Sequence, residues 1–69
     1  MNYIIADKTK AVNYGFQVET HVCNGDMMCI NEKELMNSVC ISGTLKERAD
    51  KLNGVVCDQY DALAFINNK

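Results

Sequence analysis

Apolar positions recur along this chain with two different periods, and the change of period divides it. Phe16, Val18, Thr20 and Val22 are apolar or β-branched at every second residue, and Met27-Met28-Cys29-Ile30 follows after Asn24-Gly25. Alternation of this kind predicts strands. An Asn-Gly between two such runs predicts a hairpin, because tight hairpin turns need positive φ. The reading is therefore a central hairpin over about 16–31. Its register has two solutions. A two-residue loop pairs Cys23 with Asp26; it gathers Phe16, Val18, Thr20, Val22, Met27 and Cys29 on one face and His21, Cys23, Met28 and Ile30 on the other. A three-residue loop pairs Cys23 with Met27 and brings His21, Cys23, Met27 and Cys29 together, since a one-residue slip moves a strand's side chains across the sheet. Turn chemistry favours the first and hydrophobic patterning the second.

Before the hairpin, Tyr3-Ile4-Ile5-Ala6 reads as a short strand. Asp7 can cap a helix over Lys8 to Tyr14 that Gly15 ends, with Ala11 and Val12 facing the core. After it, Asn31 and Glu34 have capping-box spacing and start a helix from Glu32 to about Asn37 that buries Leu35 and Met36. Residues 38–43 fit either a short strand, through Val39 and Ile41, or a loop tucked against the core. Thr44 and Glu47 form a second capping box. Behind it Leu45, Ala49 and Leu52 make a helical stripe, Glu47 and Lys51 an i,i+4 pair, and Asn53-Gly54 the stop. Val55-Val56-Cys57 is a fragment of strand. Asp58 caps a last helix from Gln59 to about Asn67, with Tyr60, Leu63 and Ile66 on one side, widened by Ala62 and Phe65. The sum is a single α+β domain over 1–69: a two-layer fold in which the hairpin and the N-terminal strand pack against three or four short helices.

Length changes this picture in one respect. Sixty-nine residues lie near the lower limit for a single core, where a metal, disulfides or self-association often help. A net charge of −2 gives no footprint for nucleic acid or an anionic membrane, and no apolar run approaches a transmembrane span. The first residues carry no basic region, so a signal peptide is not expected, and a cytoplasmic protein with reduced thiols is. Abundant Asn and Lys with no Pro suggest an AT-rich genome, and a small acidic chain without site chemistry suits a bacterial or mobile-element accessory protein.

Candidate chemistry centres on the one histidine and the four cysteines. His21, Cys23 and Cys29 on one hairpin face, completed by Cys40 or Cys57, would make a zinc site. The spacing contains no C-x2-C knuckle, however, so free thiols packed as small hydrophobes are the stronger expectation. A thiol nucleophile has only His21 as a possible base, and no Gly-rich phosphate loop is present. No cofactor and no enzymatic activity are expected. The surplus is apolar. Met27, Met28, Ile30 and Phe65 are the expected interaction surface of a non-enzymatic protein-interaction or regulatory module whose partner is another protein or a second copy. The competing possibility is that the first or last helix covers this surface within the monomer.

Overall fold

Tyr3-Ile4-Ile5-Ala6 is apolar on both faces, and it becomes an inner strand of the sheet. The computed structural model describes residues 2–67. In chain order these form β1 (Tyr3–Asp7), α1 (Lys8–Asn13), a 3-10 turn (Val18–Thr20), β2 (Val22–Asn24), β3 (Met27–Asn31), α2 (Glu32–Asn37), α3 (Leu45–Lys51), β4 (Val55–Cys57) and α4 (Gln59–Asn67). The strands lie in the order β2-β3-β1-β4, and every neighbouring pair is antiparallel. This is the expected α+β domain.

Register assigns each side chain to a face. Ile4, Ala6, Met28 and Ile30 point to the side we call the packed face, where they are fully buried with Ala11 of α1, Leu35 of α2 and Leu52 beyond α3. Phe16, Ile41 and Ala49 complete that core, and Tyr14, Cys23 and Leu45 border it. The opposite, reverse face carries Tyr3, Ile5, Met27 and Cys29 from β1 and β3, and α4 lies across it. Ala62 is the buried residue of α4 and stands apart from the main core. The two expected layers are thus the sheet and α1–α3, with α4 added behind.

The hairpin turns one position later than the Asn-Gly pattern predicts. Asn24 pairs with Met27 and Cys23 with Met28, which leaves Gly25 and Asp26 as the loop. Gly25 has φ +62°, as a hairpin turn with glycine at its first central position requires. Both expected registers are corrected by this pairing. For the paired residues of β2 and β3 the division between faces nevertheless matches the first of them, because the shift amounts to two residues and preserves the alternation, whereas Phe16 lies in the core with Met28 and Ile30.

The expected strand over Phe16 to His21 is also corrected. Gly15, at φ +98°, turns the chain out of α1, and Phe16 then plugs the core as its backbone N–H reaches back to the Ala11 carbonyl at 3.0 Å. Val18–Thr20 close into a 3-10 turn, with the Thr20 hydroxyl donating to the Gln17 carbonyl at 3.3 Å. These local bonds replace a ladder, which is how Thr side chains compete with secondary structure. Val12 and Met36, expected inside, are exposed.

Residues 38–44 are a loop, and two cations hold it. Ile41 is buried as its anchor while Val39 is 98% exposed. Arg48 donates from Nε to the Gly43 carbonyl at 2.7 Å and from Nη1 to the carbonyls of Leu35, Met36 and Ser38 at 2.9, 3.0 and 3.3 Å. The guanidinium therefore caps the C-terminus of α2, whose last carbonyls favour a positive charge. Lys51 donates its hydrogen bond to the Ser42 carbonyl at 2.8 Å and acts on Glu47, its expected i,i+4 partner, through its charge. Glu47 instead turns back to Thr44 and closes the predicted capping box. Past α3, Asn53 takes φ +52°. Gly54 then crosses β1 so closely that an added Cβ would lie 2.9 Å from Ile4 Cγ2 and 3.2 Å from Ala6 Cα.

Candidate functional site

The residues expected to form an interaction surface separate across the sheet. Met28 and Ile30 are fully buried on the packed face, so they are corrected from surface to core. Packing three helices against one face of β3 consumes every second side chain of that strand. Met27 and Phe65 are half-buried on the reverse side, where Asn24 Nδ2 donates to the Phe65 carbonyl at 3.4 Å and ties the hairpin to α4.

The residues expected to bind metal separate as well. Cys23 borders the packed core and Cys29 lies on the reverse face, because Cys23 pairs with Met28 and Val22 with Cys29. Cys57 shares the reverse face from β4, and Cys40 sits exposed in the 38–44 loop. All four are free thiols, and among the described residues no three His, Cys, Asp or Glu side chains gather to hold a metal ion. Burial pushes the Cys29 thiol above its ordinary value. Burial does the same to Cys57, with further increments from Cys29, Asp61 and Asp58. A raised thiol is the reverse of what a nucleophile or a ligand needs.

His21 is engaged elsewhere. Its side chain is only 6% exposed and stands edge-on to Phe16, with ring centroids 5.9 Å apart. Nε2 meets Glu34 Oε1 at 2.5 Å, and Nδ1 lies 2.7 Å from the Gln17 carbonyl and 3.1 Å from the Thr20 hydroxyl. Both ring nitrogens are thus within hydrogen-bonding distance of neighbouring groups. A groove of about 350 Å³ beside it is lined by Gln17, Thr20, Glu34, Asn37 and Ser38 and has polar walls. The pattern Glu34-after-Asn31 marked a helix start, and nothing in the sequence joined Glu34 to a histidine thirteen residues earlier.

The most open apolar feature is one that the sequence presents as a mere fragment. Among the described residues β4 pairs only with β1, so its other edge is free. Val55 is 67% exposed and Val56 is also exposed. Beside this edge a groove of about 570 Å³ runs between α3 and β4, with Leu45 and Ala49 as its apolar wall, Lys46 and Asp50 at its rim, and Gly54, Val55 and Val56 opposite. Tyr60, 82% exposed, adds apolar surface on α4, and Leu63, also exposed, borders the small cavity between α4 and Tyr3. Val55-Val56-Cys57 contains no Lys, Glu or Pro, the residues that usually blunt an edge strand. That composition was the available signal, but only the sheet order reveals that the strand is an edge. Compared with protein-family models, with curated proteins and with solved structures, the chain finds no match.

Proposed function

We propose that this chain is a non-enzymatic protein-interaction or regulatory module that works through the free edge of β4 and the groove beside it. The carrying observation is the unpaired, uncharged edge Val55-Val56-Cys57 bordering an apolar groove. An extended segment added to such an edge gains main-chain hydrogen bonds, and its alternate side chains enter the neighbouring groove. The engaged ring of His21 and the raised thiols of Cys29 and Cys57 support a binding role over acid–base or thiol chemistry. The surface differs from the one that patterning suggests, since Met28 and Ile30 are core and the valines of β4 take their place.

Amine-reactive cross-linking in cells that make the protein tests this reading, because Lys46 stands on the groove wall. Cross-links to protein should concentrate at Lys46 and disappear in the Val55→Asp/Val56→Asp variant, whose fold is checked by circular dichroism. Equal cross-linking from Lys10 on α1, Lys33 on α2 and Lys46 would overturn it.

A further inference from the structure

We infer that the occupant of the β4 edge is a second copy of this chain, which adds its own β4 antiparallel about a two-fold axis through Val56. The inference rests on the interaction reading above and names the partner. Three observations carry it, and the first is register. A two-fold centred on Val56 sets Val56 against Val56 of the other copy, Val55 against Cys57, and Gly54 against Asp58. Opposed residues in an antiparallel pair share a face. Val56 lies on the packed side with Ile4, and Val55 and Cys57 lie on the reverse side with Ile5 and Tyr3. The valine pair therefore closes over Leu45 and Ala49 in both grooves, and apolar meets apolar on both faces of the joined sheet. Neighbouring registers break this match by opposing Val56 to Gly54 or to Asp58.

Charge is the second observation. A two-fold normal to the sheet keeps the faces aligned, so the two α3 helices come side by side and run in opposite directions. Each copy then brings one cation, Lys46, and one anion, Asp50, to the groove rim beside the joint, so the contact carries balanced charge. Within one chain these groups stand 3.9 Å apart and both side chains remain largely exposed, so neither brings an uncompensated buried charge to the contact. Each Asp58 lies opposite a glycine, so the carboxylates are kept apart.

The third observation is the poor fit of the alternatives. Two copies meeting through Tyr60 and Leu63 would bring together Asp58 and Asp61, with no cation on α4 to offset them. The opposite edge, β2, is half-buried and held to α4 through Asn24. A contact built on three-residue strands is at the small end of specific interfaces, so the pairing should be reversible and should weaken on dilution.

Sedimentation of the purified, reduced protein from micromolar to millimolar concentration is the test. Twice the single-chain mass at the upper end, falling on dilution, is expected. Val56→Lys, or Val55→Lys if the first variant is poorly folded, should hold the single-chain mass throughout. In a Cys40→Ser background, Val56→Cys should form a disulfide joining position 56 of both copies under mild oxidation, and Leu63→Cys should not. Three results would each overturn the inference: a millimolar monomer, a dimer that survives both lysine variants, or a preferential link at position 63. A monomer whose Lys46 still cross-links to a different protein retracts the second copy and leaves the interaction reading in place. A monomer without those cross-links retracts both.

Discussion

The two faces of the sheet are built from the same strands and come out unequal. On the packed face, Ile4, Met28, Ile30, Leu35 and Leu52 are fully buried, each contributing about 1.5–3 kcal/mol by area removed from water. On the reverse face one helix supplies one buried alanine, and Tyr60 and Leu63 stay in solvent. The difference follows from what each side receives. Three capped helices and the Phe16 and Ile41 plugs converge on the first, whereas the second depends on α4 crossing the sheet alone. The lesson is that burial is concentrated on one side of the sheet, and that β4 is the place where this well-packed layer stops at an open edge.

The largest effect that could break this comparison lies in the core. Ile30→Ala or Leu35→Ala should cost about 2–5 kcal/mol in denaturant unfolding, close to the whole stability of so small a domain. A loss below about 1 kcal/mol would mean that the packed face is not the seat of stability. Next comes Arg48, whose removal takes a charged donor from the carbonyls of Leu35, Met36, Ser38 and Gly43, of which Leu35 keeps the Ser38 N–H. Arg48→Ala should cost about 1.5–3 kcal/mol by the scale for hydrogen bonds to charged groups. Arg48→Lys should recover little of it, because a single ammonium cannot reproduce the fork.

Amide hydrogen exchange sharpens the contrast without mutation. The amides of β1 and β3 should exchange only through global unfolding, and those of α4 through local opening at lower free energy. Equal protection would erase the distinction between the faces. Smaller still, Tyr60→Ser and Leu63→Ala should shift stability by under about 1 kcal/mol, as exposed positions do.

The smallest effect is a pH dependence, and it belongs to the packed side. The Thr44 backbone N–H bond, followed by the Thr44 side chain, holds the Glu47 carboxyl below its ordinary range. A depressed folded value means that the stability is complete above the unfolded value and is lost as pH falls through the folded one. Thermal melts of Glu47→Gln should therefore lose less on acidification than those of the wild type. An identical acid limb would assign the acid sensitivity to other carboxylates.

Much of this fold was legible in the sequence because its signals are local. The Thr44 capping box, the Asp58 cap, the bounds of α2 and α4, and the burial of Ala11, Leu35, Ala49 and Leu52 follow from residues within a turn or two of one another. The failures were also local in origin. Phe16-x-Val18-x-Thr20 alternates like a strand, but Gly15, Thr20 and His21 offered the backbone a tighter set of bonds. Asn24-Gly25 signalled a turn correctly and located it one residue early, because a turn led by glycine matched the ladder of β3.

Composition and patterning by themselves determined a small α+β domain with capped helices, a hairpin and more apolar side chains than one thin core obviously needs. Only the tertiary structure decided which of those apolar residues are covered. It buried Met28 and Ile30 and exposed Val55 and Val56. It joined His21 to Glu34, split Cys23 from Cys29, and left β4 at the rim of the sheet. The reason is that periodicity reports which side chains share a face, whereas strand order and helix placement, set by contacts far apart in the chain, determine whether that face meets a neighbour or solvent.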